Sequence, residues 1–230
     1  LFSPQFHARE HLNVNLWMSY LQNNNEDFHQ AFKLGCFSIK DSSMANRRNN
    51  IMATYDYYSK ESLNNIEKSI QEGLVLFEEV FNIKSKTTIC PCYVWDKKVE
   101  KVFNMAGIET FQGSKYQNSP VNASKDFNKK LRYMGQRDDD NTYLIRNCLF
   151  EPALSNKIDW VSKCLESIKV AFFWGKPAII GSHRINYVGG IDKKNREENL
   201  KLLHSLLSKI LAKWPDVEFI SSAELARYYN

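Results

Sequence analysis

Apolar residues recur along this chain with two alternating periods. Leu63, Ile66, Ile70, Leu74 and Phe77 keep the spacing of one helical face, opened by Ser59-Lys60-Glu61-Ser62. Leu12, Leu16, Trp17 and Tyr20 or Leu21 mark an earlier helix over 12–21, which the amide run Gln22 to Asn25 stops. Further helices are predicted over 96–106, closed by Gly107, and over 158–173, stopped by Gly175 and Pro177. A long helix follows over 195–213, and Ser221 caps a last short one. Between them, Leu1 to Phe6, Thr87 to Trp95, Ile108 to Gln112, Thr142 to Cys148, Ala178 to Ser182 and Val217 to Ile220 read as strands. Gly35 to Tyr58 and Gly113 to Asp140 carry no period. They read as long polar loops, of the kind that lid a site or contact a substrate.

Strands alternating with helices predict an α/β protein with a parallel sheet and crossover helices, roughly six strand-plus-helix units in all. At 230 residues and 43% hydrophobic, the chain suits one domain over 1–230 with a single sizeable core. It opens on Leu1 rather than Met, so the expectation is a product whose beginning, a first strand unit included, lies upstream.

Charge and cysteine content narrow the class. The net charge is +5, but the tightest basic clusters are pairs such as Arg47-Arg48 and Lys193-Lys194, interrupted by acids and amides. That pattern is a solvated surface and predicts no nucleic-acid partner. No run of 18 apolar residues marks a membrane span. Five cysteines, an odd count without a C-x2-C pair, predict reduced thiols and a cytoplasmic home. The oligomeric state has no signature here.

Candidate chemistry gathers at predicted strand ends, where barrels of this class place it. His7 and His11, two of only five histidines, stand four apart in Phe6-His7-Ala8-Arg9-Glu10-His11. On a helical turn they share a face, and imidazole is the commonest protein ligand for zinc. Pro91 and Tyr93, Arg146-Asn147-Glu151, and His183 followed by Arg184 fall at other such ends.

These residues resemble the polysaccharide deacetylase family, metal-dependent carbohydrate esterases on a (β/α)7 barrel. His7-x3-His11 is similar to the family's H-[ST]-x-x-H metal motif, with Ala8 at the Ser/Thr place. Cys90-Pro91-Cys92-Tyr93 stands where the family carries R-x-P-Y, with Ile89 in place of the arginine; Arg9, Arg146 or Arg184 are its possible substitutes. Asp159-Trp160 resembles its Asp-Trp motif, and Ile179-Ile180-Gly181-Ser182-His183 its late strand and catalytic histidine. The family's first-strand aspartate pair has no counterpart upstream of His7.

The resemblance implies a deacetylase barrel without its first strand unit, acting on an acetylated sugar, as in cell-surface polysaccharide biosynthesis. His7 and His11 would bind a divalent metal, zinc by preference. The third ligand would be an upstream carboxylate, or a water or anion in its place. His183 would be the catalytic acid, the N–H near Tyr93 would serve the oxyanion, and Pro91, Arg146 and Arg184 would line the substrate. Tyr55, Tyr57, Tyr58 or Tyr116 would stack on sugar faces. Two alternatives stay open: a carbohydrate-binding barrel that has lost its aspartates, and a protease, since His7 to His11 also reads H-x-x-E-H with Glu10 as base.

Overall fold

The computed structural model describes residues 3–37, 39, 50–121 and 126–229. Leu1, Phe2, Arg47-Arg48 and parts of both long loops lie outside the described residues. The chain divides into two units, Leu1–Leu144 with Ser221–Asn230, and Ile145–Ile220.

In chain order the elements are α1 (Val14–Gln22), α2 (Glu26–Lys33), α3 (Lys60–Phe81), β1 (Thr87–Ile89), α4 (Lys97–Met105), β2 (Thr110–Gly113), β3 (Tyr116–Ser119) and β4 (Asn128–Leu131). There follow β5 (Gln136–Asp138), β6 (Asn141–Ile145), β7 (Cys148–Leu149), α5 (Trp160–Phe173), β8 (Ile180–Gly181), α6 (Lys193–Lys213) and α7 (Ser222–Ala226). The class is mixed α/β, with small sheets. No closed (β/α)7 barrel is formed by the described residues.

In the first unit the helices follow their caps. Ser59 and Ser62 close a capping box on α3, and Asn82 ends it in the left-handed region at φ 53°. Asp96 caps α4 by accepting from Lys98 and Val99 N–H. The apolar face of α3 buries Leu63, Ile66, Ile70 and Phe77 in a core shared with Phe6, Trp95, Phe103 and Phe111. Phe6 meets Phe77 and Phe103 edge to face at 6.0 and 6.1 Å, contacts that each add about 0.5–1.5 kcal/mol beyond their buried area.

The main sheet has order β1-β2-β6-β5. β1 and β2 run parallel, Thr88 opposite Phe111, and Phe6 adds one parallel bridge to Thr88. β5 joins β6 antiparallel, as a hairpin, which interrupts the all-parallel pattern expected of a barrel. The presumed loop over 113–140 holds β3 and β4, paired antiparallel from Tyr116↔Leu131 to Ser119↔Asn128. Asn25, read as a helix stop, in fact caps α2 by accepting from Phe28 N–H.

A buried polar network ties the β3–β4 hairpin to this core. Glu100 accepts from Trp95 Nε1 at 2.9 Å and from the Tyr143 hydroxyl at 2.8 Å. Arg132, 2% exposed, donates to Gln117 at 2.8 Å and Asp138 at 3.0 Å, with its guanidinium 3.5 Å over the Tyr143 ring. Burial and the nearby Glu100 hold the Tyr143 phenol well above its ordinary range.

The second unit packs α5 and α6 over Cys148, Phe150 and Ile180, with Cys164, Ile168, Leu206 and Ile210 inside. β7 and β8 pair parallel, Cys148↔Ile180 and Leu149↔Gly181. The strand expected over 178–182 is thus two residues long, and Val217 to Ile220 is irregular rather than a strand. His204 is exposed on α6, whose buried positions are Asn199, Leu206 and Ile210.

Candidate functional site

Gly181 and Leu149 are the last paired residues of β8 and β7. Two residues further along each strand direction stand His183 and Glu151, so the parallel register itself sets them opposite one another. His183 Nδ1 lies 2.6 Å from Glu151 Oε1. Glu151 Oε2 accepts from His183 N–H at 3.3 Å and from Asn186 Nδ2 at 2.8 Å. With the carboxylate as acceptor, Nδ1 carries the ring proton and Nε2 is the nitrogen left for chemistry. The carboxylate side chain is 5% exposed and the imidazole 65%. A buried acid thus orients a solvent-facing base, the general arrangement that acid–base catalysis uses.

A short turn of 3-10 helix, Arg184–Tyr187, follows His183. Ser182 Oγ and the Tyr187 hydroxyl are 2.8 Å apart. Burial, offset in part by Ser182 and reinforced by the Glu151 charge, pushes the Tyr187 phenol up. Beneath, burial raises the Cys148 thiol to about 12 and Cys164 to about 11, so neither is a thiolate at neutral pH. The Arg146 guanidinium lies along β8: a Cβ on Gly181 would stand 2.9 Å from its Nε and would have to displace it. Arg184 is exposed at the start of the turn.

His7 and His11 belong to the first unit. Residues 7–11 are not helical. The segment bends instead, held where Thr54 Oγ1 donates to Glu10 O at 3.0 Å and Asn13 N–H to Ile51 O at 2.6 Å. The bend nonetheless brings the His7 and His11 rings to 4.9 Å, edge to face. His7 Nδ1 lies 2.7 Å from the Ile89 carbonyl, which can only accept, so the lone pair sits on Nε2. A metal-ligating histidine takes this form, its second nitrogen tied to a carbonyl. The bend thus places two imidazoles side by side. No third His, Cys, Asp or Glu completes a set among the described residues.

Glu10 does not have the setting of a catalytic base. Its carboxylate accepts from Arg9 at 2.6 Å and from Ser69 at 2.9 Å, and Arg9 also pairs with Glu72. The H-x-x-E-H protease pattern needs a helix and a disengaged glutamate, and neither is present. Gly73 makes this packing feasible, because a Cβ there would lie 2.8 Å from Arg9 Cβ and 3.0 Å from Phe6 Cζ.

Cys90 to Tyr93 follows the end of β1 directly and forms a tight 3-10 turn. Cys92 and Tyr93 both sit in the left-handed region, at φ 53° and 56°, which costs on the order of 1–3 kcal/mol each. Tyr93 N–H, assigned to the oxyanion, donates to Cys90 O at 3.0 Å in this conformation, and Pro91 is buried beneath it. Tyr55 and Tyr57, offered as stacking faces, are core residues at 1% and 4% exposure; Tyr58 and Tyr116 are exposed. Asp159 of the Asp-Trp pair is the N-cap of α5, accepting from Ser162 N–H at 3.0 Å. Ser162 also lowers its carboxyl.

The residue the sequence undersold is Glu151. It stood beside a predicted strand end, yet its partner lies 32 positions on, and only the β7–β8 register joins them. No family model, curated protein or solved structure matches the chain. Among the described residues, no helix is long and apolar enough to cross a membrane.

Proposed function

We propose that this chain removes an acetyl group from an acetylated sugar of a glycan or polysaccharide precursor, as a deacetylase-type hydrolase. The Glu151–His183 pair carries the proposal. Amide or ester hydrolysis needs a group that delivers a proton to the departing nitrogen or oxygen. His183 presents Nε2 to solvent for that transfer, while Glu151 holds Nδ1–H and offsets the positive charge of the doubly protonated ring.

His7 and His11 are assigned to a divalent ion, zinc by the preference of imidazole donors. When bound, the ion would act as a Lewis acid and lower the pKa of its water toward about 7. His7 would hold its Nε2 toward the ion because Ile89 O retains the Nδ1 proton. Arg146 and Arg184, in the same unit as His183, are assigned to polar groups of the substrate.

Acetate release from N-acetylated oligosaccharides, measured beside casein hydrolysis, tests the reading. Acetate without proteolysis is expected. Proteolysis without acetate would overturn it, and saccharide binding without turnover would favour a carbohydrate-binding protein.

A further inference from the structure

We infer that Asn186 is a positioning residue for His183, holding the Glu151 carboxylate in the orientation that keeps the ring proton on Nδ1 and turns Nε2 outward. The inference rests on His183 being the reacting histidine of the proposed hydrolysis.

The two oxygens of Glu151 have separate tasks. Oε1 receives His183 Nδ1 at 2.6 Å, and Oε2 receives Asn186 Nδ2 at 2.8 Å, with His183 N–H farther away at 3.3 Å. A terminal carboxylate torsion is broad and close to two-fold, so one contact alone would leave the group free to swing. Asn186 supplies the second fixed point.

Asn186 is itself fully determined. It is 0% exposed. Its Oδ1 accepts from Ala153 N–H at 2.9 Å, and a main-chain N–H can only donate, so the amide oxygen must stand there. The NH2 group is thereby directed at Glu151, with the His183 carbonyl at 2.8 Å and Ser182 Oγ at 3.1 Å as its other acceptors. The Asn186 carbonyl in turn accepts from Asn199 Nδ2 at 3.0 Å. Asn195, one helical turn earlier on α6, holds the carbonyls of Ile185 and Val188 at 2.8 and 2.9 Å. One face of α6 therefore clamps the turn that carries Asn186.

Stability alone is a poor reason for such a network. Apolar side chains of similar volume usually serve a core as well as buried polar groups do. Here a buried acid and a buried amide converge on a histidine that is itself mostly exposed. What they fix is the direction of an imidazole, and that matters for proton transfer.

The test reads the ring directly. In uniformly 15N-labelled protein at alkaline pH, two-bond 15N–1H spectra distinguish the tautomers, and His183→Gln identifies the His183 signals among the five histidines. Wild-type His183 should be the Nδ1–H form; an Nε2–H wild type would overturn the proposal before any variant is made. In Asn186→Ala the tautomers should mix, and kcat for acetate release from N-acetylated oligosaccharides should fall by about 10–100-fold with KM little changed. Asn186→Asp keeps the acceptor for Ala153 but loses the NH2 donor, and should show the same mixing. A single Nδ1–H tautomer in either variant, with its melting transition intact, would contradict the proposal. Because the spectra need no turnover, they decide the positioning claim even where wild type releases no acetate, which would count against the hydrolysis reading alone.

Discussion

Glu151 and His183 face each other across two short parallel strands, and the almost wholly buried carboxylate holds Nδ1 of the exposed imidazole at 2.6 Å. Their spacing follows from the pairing of Leu149 with Gly181, two residues earlier on each strand. Replacing the acid by its isosteric amide should leave the unit folded while removing the orienting charge. Glu151→Gln is expected to lower the turnover of acetate release by about 10²–10⁴-fold, with its melting temperature near that of wild type. Normal turnover in a folded Glu151→Gln would make the pair an ornament of the surface.

The His7–His11 pair predicts a metal. Elemental analysis of protein dialysed against zinc should show a bound ion that is lost in His7→Ala and in His11→Ala, since each removes one of two imidazoles. An undiminished zinc content in both variants would put the ion elsewhere.

Gly73 links that pair to α3. In an exposed helix, glycine to alanine would gain about 1 kcal/mol. Here the new methyl would meet Arg9 Cβ at 2.8 Å and Phe6 Cζ at 3.0 Å, pressing on the segment that carries His7. Gly73→Ala should therefore destabilise by about 1–3 kcal/mol in urea unfolding and weaken zinc binding as well. A gain in stability would show that residues 6–9 do not pack there.

Acid stability should depend on Asp138. Its hydrogen bond with Lys130 at 2.6 Å, then that with Arg132 at 3.0 Å, holds the carboxyl well below the ordinary range. A carboxylate depressed by folding stabilises the folded state above its unfolded value of about 3.9, and that contribution fades as pH falls toward the lower folded value. Urea midpoints should decline from about pH 5 downward, more steeply in wild type than in Asp138→Asn. Parallel declines would assign the acid sensitivity to other groups.

The long helices were legible because one apolar stripe and a local cap suffice to specify each of them. α3 shows its stripe from Leu63 to Phe77 and its box at Ser59 and Ser62. The β3–β4 hairpin was not legible, because Gln117 is the only buried residue of its two strands and Lys129 and Leu131 are exposed, which leaves no period-two hydrophobic signal. α2 was missed because the Asn run before it serves as both stop and cap. His183 could be singled out by its place after Ile179-Ile180-Gly181. Glu151 was named at a strand end, but its pairing with His183 was not, since that arises from register across 32 residues. His7 and His11 meet as the spacing suggested, but on a bend pinned by Thr54 rather than on a helix. Tyr55 and Tyr57 show the opposite failure, where aromatics in a polar stretch turned out to build the core.

Turnover of His183→Gln, set against His204→Gln, tests the central claim most directly. Both histidines lie in the second unit; His183 is held by Glu151, whereas His204 is exposed on α6. The account predicts that His183→Gln keeps its fold and its zinc content yet loses about 10²–10⁴-fold in kcat for acetate release, while His204→Gln is unchanged. Equal losses in the two folded variants, or full turnover without His183, would contradict it.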